Sequence, residues 1–326
     1  MGQRTRKTTD IPHRRIRLGI SSCLLGEKVR YDGNDRRDGY ITGTLARFFE
    51  FVPVCPEVGI GLGVPRPPIR LVGLSAAPHA AGIANPDLDV TDKLAAYGRR
   101  TAHRLDDISG YILKSKSPSC GMERVKVYSR RGGLTGSGRG IYAAALMAAS
   151  PLLPVEEEGR LGDPDLRENF FERVFAYRRW QETAASSVTA VRLIEFHTSH
   201  KLTLMAHNTD AYRRLGRLVS GAGRRDVKDI SARYIRDFMK VLAQPATPKR
   251  HANVLMHVMG YLKKQLDADD KAELLELIDA YRRGQVPRIV PFTLLKHHFR
   301  RFPNAYIAHQ AYLHPYPGGI GLCDGL

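Results

Sequence analysis

The sequence predicts two domains of different class, a Rossmann-like α/β domain with a parallel sheet and flanking helices, and then an all-α domain. In residues 15–149, short apolar runs alternate with Gly/Pro loops and amphipathic stretches, which indicates strands and helices in alternation. In residues 166–326, apolar residues recur at helical spacing and few β-branched runs occur. A chain of 326 residues is long enough for two separate cores. We expect residues 1–14 to form a basic tail and residues 150–165, rich in Pro, Gly and acid, to form a linker.

The elements of the first domain follow from local patterns. The apolar runs that predict strands are 16–20, 51–54, 111–114 and 125–128. Apolar residues at helical spacing predict a helix over 92–105, with Thr91 as its N-cap, and a small-residue helix is expected over 140–149. The glycines of segment 59–63 resemble a phosphate-binding pattern. They do not fit GxGxxG and no clear helix follows, so we interpret the segment as a loop.

The helices of the second domain are predicted from three groups of apolar residues, and no repeat of 20–50 residues is visible. The groups are Phe170, Phe171, Val174, Phe175 and Tyr177; Leu202, Met205, Tyr212, Leu215, Leu218 and Val219; and Leu274, Leu275, Leu277, Ile278 and Tyr281.

The net charge of +18 favours a polyanionic partner. The charge is uneven, because residues 192–265 carry 15 basic and only 5 acidic residues. A concentrated basic stretch favours nucleic acid, whereas a uniformly basic surface would only keep the protein in solution. The preferred phosphate contacts in this stretch are Arg213, Arg214, Arg217, Arg224, Arg225 and Lys228.

Three cysteines each follow a predicted strand and begin a loop of small residues. They are Cys23, Cys55 and Cys120. Because the carboxyl ends of parallel strands share one edge of a sheet, we expect the three thiols to converge there. Three convergent thiolates without a fourth ligand suit a metal cluster with one open position. Burial of each cysteine as a small hydrophobe is the alternative.

A zinc site and disulfide bonds are less favoured roles for these cysteines. No CxxC pair or nearby HxxxH completes a zinc site. The sequence has no signal-peptide pattern and no apolar run long enough to span a membrane, so we expect a cytoplasmic protein with reduced thiols. The fourth thiol, Cys323, lies in a Gly-rich tail and is interpreted as incidental.

These motifs resemble known families. The first domain resembles the thiouracil desulfidase (TudS-like) family, and the second is similar to the YbgA-like domain. The motifs that carry the first resemblance are 23–26 (CLLG), 29–33 (VRYDG), 55–57 (CPE), 61–66 (GLGVPR) and 117–121 (SPSCG). Those that carry the second are 196–201 (FHTSHK), 205–207 (MAH), 212–216 (YRRLG) and 315–317 (PYP). The fused architecture resembles RudS-type enzymes, which act on 4-thiouridine in tRNA.

The resemblance implies a [4Fe-4S] cluster held by Cys23, Cys55 and Cys120, with one iron that no protein residue ligates. A soft iron suits a soft thiocarbonyl sulfur, and the net reaction is hydrolysis of C=S to C=O with release of sulfide. The family pattern also implies that Glu57 is the general acid/base and that Ser117 relays a proton or binds the base edge. The alternatives are that Glu57 caps a helix and that Ser117 closes a turn.

Further polar residues near the motifs have open roles. Ser22 and Ser119 are expected to face cluster sulfur. The lysines beside the third motif, Lys114 and Lys116, would meet a substrate phosphate or remain solvated.

A histidine group in the second domain, His197, His200 and His207, is placed by its spacing on one face of a helix. It would contact RNA, pack between helices or, less favoured, bind a metal.

The preferred function is desulfuration of 4-thiouridine in tRNA, a tRNA modification reaction carried out by a monomer. The second hypothesis is a desulfidase of free thiouracil or thiopyrimidine nucleosides. A small uncharged base needs no basic field, so the charge of the second domain disfavours it. The third hypothesis is a non-catalytic Fe–S nucleic-acid-binding regulator, against which the acid/base candidate Glu57 argues.

Overall fold

The computed structural model describes residues 15–223, 226–317 and 320, which fall into two compact units with the boundary between Ala149 and Ser150. The predicted fold class is confirmed, since the first unit is α/β with a parallel sheet and the second is helical. The predicted basic tail, Arg224, Arg225 and Cys323 lie outside the described residues.

The first unit contains seven strands and four α-helices among its described residues. The strands are β1 (Ile16–Ser21), β2 (Phe49–Val54), β3 (Ile69–Leu74), β4 (Ala77–Gly82), β5 (Gly110–Leu113), β6 (Val125–Tyr128) and β7 (Leu134–Gly138). The helices are α1 (Gly39–Gly43), α2 (Pro56–Gly59), α3 (Thr91–Arg104) and α4 (Ile141–Ala149).

The central strand of the parallel sheet is β1, which pairs with β2 on one side and β5 on the other. Its buried Leu18 and Ile20 carry apolar side chains on one face of the sheet, and the neighbouring Gly19 packs closely against the Tyr111 ring. Ser21 lies opposite Val54, and Ile20 lies opposite Ile112, so all three strands end at the same level. This common end is the edge at which the cysteines were expected to converge.

A second sheet, with strand order β4-β3-β6-β7, was not predicted. Only its strand β6 was anticipated, and it was assigned to the parallel sheet. Strand β3 pairs antiparallel with β4 and parallel with β6, and β6 pairs antiparallel with β7. Strands β4 and β7 are rich in small residues, so they largely lack the β-branched and aromatic residues that mark strands in a sequence.

Helices α3 and α4 lie against each other and match the predicted helices to within one residue at each end. A Cβ atom at Gly98 would come within 2.7 Å of the Tyr142 carbonyl oxygen, so glycine permits this close approach. The predicted N-cap Thr91 is instead the first helical residue, and its hydroxyl accepts a hydrogen bond from the Ala80 N–H at 2.8 Å.

The second unit consists mainly of helices. Its α-helices are α5 (Pro164–Ala184), α6 (Ala190–Ser199), α7 (Lys201–His207), α8 (Thr209–Ser220), α9 (Val227–Leu242), α10 (Pro248–Met259), α11 (Ala268–Arg282), α12 (Ile289–Arg301) and α13 (Ala305–Ala308). Two apolar clusters form its core, one centred on Trp180, Phe196 and Phe238 and the other on Leu255, Leu295 and Tyr312.

The stretch predicted as a linker, residues 150–165, contains regular structure. It forms the short strand β8 (Val155–Glu157) and the 3-10 helix Glu158–Gly162, and helix α5 begins inside it at Pro164. Asp163 caps α5 by accepting hydrogen bonds from the Asp165 and Leu166 N–H groups, which explains why an acidic, Pro-containing sequence precedes a helix. Among the described helices, none combines the length and the apolar character that crossing a bilayer requires.

Candidate active site

Three loops that follow the parallel strands bring the three predicted cysteines to one cavity of about 410 Å³ in the first unit. Cys55 directly follows β2, Cys23 lies in the 3-10 helix Ser22–Leu25 after β1, and Cys120 lies on the loop after β5. Cys23 and Cys120 are buried, Cys55 is partly buried, and none of the three forms a disulfide. The predicted convergence therefore occurs at the carboxyl edge of the sheet.

The loop that carries Cys120 is held by hydrogen bonds from its own backbone N–H groups to a serine side chain. The Ser117 hydroxyl oxygen accepts hydrogen bonds from the N–H groups of Ser119 at 3.2 Å and Cys120 at 3.1 Å. Gly140 approaches the same loop closely, because a Cβ atom there would lie 2.5 Å from the Ser119 carbonyl oxygen. Ser117 thus closes a turn, as one interpretation of the sequence held, and it also lines the cavity.

The carboxylate of Glu57 lies in the same cavity, on the one-turn helix α2. Its Oε2 accepts a hydrogen bond from Arg66 Nε at 2.8 Å, and its Oε1 accepts one from the Ser119 hydroxyl at 2.8 Å. The Glu57 and Arg66 side chains are only 14% and 6% exposed, so their ion pair is shielded from water. Ser119, expected to face cluster sulfur, donates to this carboxylate instead.

Arg66 is a site residue that sequence reasoning quoted within a motif without giving it a role. Besides Glu57, its guanidinium donates to the Gly63 carbonyl oxygen at 3.0 Å and to the Val29 carbonyl oxygen at 2.9 Å. The Val29 carbonyl oxygen also accepts a weak hydrogen bond from Cys55 Sγ at 3.7 Å. Arg66 therefore joins the Val29 loop to Glu57. The only signal in the sequence was an arginine after a Gly/Pro loop, which does not reveal its partners.

The donor set fits a cluster bound by soft ligands. Burial raises the pKa of the Cys55 thiol. Burial also raises the pKa of the Cys120 thiol well above its ordinary value, and the nearby Cys55, Glu57 and Cys23 raise it further. Binding of iron by thiolates would displace these protons. Among the residues described, no three or more His, Cys, Asp or Glu side chains are grouped so as to hold a metal ion, but in a four-iron cluster each thiolate binds its own iron.

The histidines of the second unit do not form the predicted single face of one helix. The helix is interrupted at His200, which lies between α6 and α7. The buried rings have separate partners: His197 Nδ1 is 3.2 Å from the Tyr234 hydroxyl, His200 Nδ1 donates to the Phe196 carbonyl oxygen, and His207 Nε2 is 3.0 Å from Glu172 Oε2. These are packing histidines, and within the described part of the chain they form no metal-binding group.

The predicted phosphate contacts that the structure describes are all exposed. Arg213, Arg214 and Arg217 lie on α8, whose opposite face buries apolar residues, and Lys228 is the second residue of α9. Arg213 Nη1 is 3.4 Å from Asp210 Oδ1, and both side chains are largely exposed, so water screens this pair. Four of the six predicted residues are therefore available to a polyanion.

Comparison with known proteins also divides the chain into two parts, although the first match extends beyond the boundary at residue 149. Residues 18–158 match the model of the 2-thiouracil desulfurase family, and residues 201–317 match that of the family described as protein of unknown function (DUF1722). The uncharacterized protein YbgA of Escherichia coli (strain K12) is 33% identical over 46% of this chain and 89% of its own length. The uncharacterized protein YbbK of Bacillus subtilis (strain 168) is 30% identical over 43% of this chain and 95% of its own.

A solved structure of the [4Fe-4S]-dependent thiouracil desulfidase TudS is 28% identical, with a TM-score of 0.37, over 46% of this chain and 95% of that one. The two family matches cover the cysteine motifs and most of the helical unit, respectively. The chain is thus a fusion of a domain of the 2-thiouracil desulfurase family with a YbgA-like domain of the DUF1722 family.

Proposed function

We propose that the protein is an iron–sulfur desulfidase that converts 4-thiouridine in tRNA to uridine and sulfide, with Cys23, Cys55 and Cys120 as the cluster ligands. The observation that carries the proposal is the meeting of three cysteines, none in a disulfide, and a hydrogen-bonded carboxylate in one cavity of a 2-thiouracil desulfurase domain. In the net reaction the C–S bond of the thiocarbonyl breaks, a C–O bond to water forms, and no electrons are exchanged.

When bound, a [4Fe-4S] cluster with one iron free of protein ligands supplies a soft Lewis acid for thiocarbonyl sulfur. The chain itself excludes bulk water around the thiols, since Cys23 and Cys120 are buried in the cavity wall. The cavity volume lies within the range of sites for small organic molecules. The cavity is therefore large enough to admit a pyrimidine base.

Glu57 is proposed to take the proton from the attacking water. As an ionised carboxylate, Glu57 is acceptor-only, and each oxygen keeps a lone pair beyond the hydrogen bond it already accepts. Arg66 and Ser119 hold the group from two directions, so it need not reorganise during the reaction. General-base catalysis of this kind contributes about 10²–10⁴-fold to the rate.

Ser117 is proposed to donate to the ring nitrogen or to the edge of the base. Its oxygen already accepts from two backbone N–H groups, so its remaining capacity is chiefly that of a donor. Accepting those two bonds polarises the hydroxyl and strengthens its donation. A donor role therefore fits the geometry better than a two-way proton relay.

The helical unit is proposed to dock tRNA through the exposed basic face of α8 and the start of α9. Arg213, Arg214 and Arg217 fall within about one turn of one another on the solvent side of α8. Cations at this spacing can contact successive phosphates of an RNA backbone.

Desulfuration of a free thiopyrimidine is the second candidate. One observation favours it, since every residue that lines the cavity, among those the structure describes, comes from the first unit. Nothing in the lining requires the helical unit for a small substrate to bind.

The deciding experiment is incubation of the anaerobically reconstituted protein with thiolated tRNA and, separately, with 4-thiouracil. Nucleoside analysis should show 4-thiouridine replaced by uridine, with one sulfide released for each. Rapid turnover of the free base without any change in tRNA would establish the second candidate instead. Failure on both substrates, with the cluster intact, would leave a non-catalytic Fe–S protein.

The cofactor is tested by analysis of the same preparation. It should be brown and contain about four irons and four sulfides per chain. Cys23→Ala, Cys55→Ala and Cys120→Ala should each lose most of the iron and the activity, whereas Cys323→Ala should lose neither. One tightly bound zinc and no sulfide would contradict the assignment.

A further inference from the structure

The helical unit has a cavity of its own, which no step of the proposed desulfuration uses. It lies between the end of α5, helix α6 and the segment around α13, and we call it the α6 cavity. Its volume is about 860 Å³, within the range of sites for small organic molecules. Four of the six residues of motif 196–201, by which this unit resembles the YbgA-like domain, line it. The motif therefore builds the wall of a cavity.

A guanidinium without an ionic partner lies in this wall. Arg179 Nη2 donates to the carbonyl oxygens of His314 at 2.9 Å and Pro315 at 2.8 Å. Its Nε and Nη1 bond to no other described residue, and no described carboxylate lies within ion-pair distance of it. Burial lowers the pKa of this guanidinium. Because charged groups removed from water are normally paired with an opposite charge, Arg179 can bind an anion.

The other charges of the wall also favour an anion. Arg192, the second cation, donates only to backbone and hydroxyl oxygens within the described chain. Of the two carboxylates in the wall, Glu182 is paired with Arg178 at 2.8 Å, whereas Glu195 is exposed and has no ion-pair partner among the described residues. Two arginines without carboxylate partners are thus set against one unpaired carboxylate.

The same wall contains an acceptor that lacks a donor. His200 Nδ1 donates to the Phe196 carbonyl oxygen at 2.8 Å, so the Nε2 of the neutral ring can only accept. This Nε2 is buried and has no hydrogen-bond partner among the described residues. Phe196, Ile194 and Tyr306 add apolar and aromatic surface to the wall. A ligand with an anionic group, a planar ring and an N–H donor matches all of these features.

We propose that the α6 cavity binds a nucleotide, with its phosphate on Arg179 and Arg192 and its base against Phe196 and Tyr306. Guanidinium groups bind phosphate in bidentate geometry, and nucleobases combine a planar ring with N–H donors. The phosphate can belong to a free nucleotide or to an RNA strand, since both offer the same chemistry. This inference goes beyond the proposed function and does not depend on desulfuration.

The test is calorimetric binding of three ligands to the full-length, cluster-loaded protein: adenosine 5′-monophosphate, adenosine and inorganic phosphate. A purine is used because the catalytic cavity is proposed to take a thiopyrimidine. The monophosphate should bind about tenfold more tightly than adenosine, because hydrogen bonds between charged groups are stronger than neutral ones. It should also bind more tightly than inorganic phosphate, which gains nothing from the aromatic wall. Equality in either comparison, or no binding at millimolar concentration, would overturn the inference.

A matched pair of variants locates the phosphate. Arg179→Gln removes the proposed contact, and Arg233→Gln is the control, since Arg233 is an exposed arginine of the same unit that is absent from the described lining. The preference for the monophosphate over adenosine should fall to about twofold or less in Arg179→Gln and persist in Arg233→Gln. Arg179→Lys keeps the charge without the planar fork and should be intermediate. Equal loss in the Arg179→Gln and Arg233→Gln variants would contradict the assignment.

A variant with increased affinity excludes misfolding as the explanation. Glu195→Gln removes the unpaired carboxylate of the wall, so the monophosphate should bind about two- to threefold more tightly. Glu276→Gln makes the same change in net charge on the exposed side of α11, outside the described lining, and should leave the affinity unchanged. If the two variants behave alike, the anion does not bind in the α6 cavity.

Competition with a short oligoadenylate identifies the source of the phosphate. If an RNA strand supplies it, adenosine 5′-monophosphate should displace the oligoadenylate, and Arg179→Gln should weaken the binding of both. If the oligoadenylate binds wild-type protein and Arg179→Gln equally while the monophosphate still depends on Arg179, the ligand is a free nucleotide. Both outcomes support the site, and independence of both ligands from Arg179 would overturn it.

Discussion

At the scale of single residues, Glu57 is defined by what holds it. Both of its oxygens accept hydrogen bonds, from a buried guanidinium and from a hydroxyl. Glu57→Gln keeps the shape but removes the base, so turnover should fall at least ~10²-fold while iron content and substrate binding persist. Single-turnover kinetics with iron analysis would measure this. Glu50→Gln, which alters an exposed ion pair with Arg17, is the control and should leave turnover and iron content unchanged. Normal turnover by Glu57→Gln would assign the proton to another group.

The two serines near Glu57 should behave differently when their hydroxyls are removed. Ser119→Ala deletes the donor to Glu57 Oε1 and should lower kcat with little change in KM, since it misorients the base without touching the cavity mouth. Ser117→Ala also deletes the acceptor for two backbone N–H groups of the Cys120 loop, so iron retention should fall as well. Steady-state kinetics and iron content separate the outcomes; equal iron loss in both variants would contradict them.

The sequence predicted the residues of the site better than their hydrogen bonds. Cys23, Cys55 and Cys120 could be brought together because a strand end fixes where the next residue begins, and parallel strands share that edge. The bonds from Arg66 and Ser119 to Glu57 could not be predicted, because they join loops 9 and 62 residues apart in sequence. Such contacts depend on how loops fold over the sheet, and no periodic pattern encodes that.

At the scale of elements, the same limit separates predicted from unpredicted structure. Helices α3 and α4 and the parallel strands have strong apolar patterns and were predicted closely. The strands β4 and β7 are rich in small residues and gain their order from pairing with β3 and β6, which is a long-range effect. Similarly, the spacing of the histidines predicted that they lie on one face of a single helix. The helix is interrupted at His200, so the three buried rings contact different partners.

The junction between α6 and α7 should make the helical unit sensitive to acid. Burial lowers the pKa of His197 to about 4 and that of His200 to about 3, against 6.5 ordinarily. Below pH 6.5 these two rings bind protons in the unfolded chain but stay neutral in the folded chain. The free energy of unfolding should therefore fall as the pH drops from 6.5 towards 4. Above pH 6.5 these two rings are neutral in both states and contribute no pH dependence.

Fluorescence of Trp180, the only tryptophan, reports on this region, because its ring lies 5.2 Å from that of Phe196, on which His200 stacks. Urea unfolding between pH 4 and 8 should show the predicted decline. The His200→Asn side chain can still donate to the Phe196 carbonyl oxygen but does not titrate. The free energy of unfolding of this variant should therefore decline less steeply as the pH falls, whatever its value at pH 7. The exposed His309→Asn should leave the slope unchanged. An identical slope in all three proteins would exclude His200 as a source.

At the scale of the whole molecule, basic side chains occur at both candidate sites, in the lining of the cavity in the first unit and on the exposed face of α8 in the second. The fold class could be predicted from the sequence, since it depends on periodicity and composition. The sequence did not predict which of the many basic residues are exposed, because that depends on which faces of α8 and α9 are buried. If the protein acts on tRNA as proposed, variants of these two sets of residues should impair tRNA binding and base chemistry separately.

Reversal of Arg213, Arg214 and Arg217 to Glu should make that separation visible. The protein–tRNA affinity should fall, and the slope of log affinity against log salt should flatten by roughly 0.7–0.9 for each phosphate that the variant no longer binds. Turnover of free 4-thiouracil should be nearly unchanged, because the described residues that line the cavity all belong to the first unit. Reversal of Arg282, Arg283 and Arg300, exposed residues outside the basic stretch, is the control with the same change in net charge. If both triple variants lose tRNA affinity equally, the α8 face is not the docking surface, and only the general field of the protein attracts the RNA.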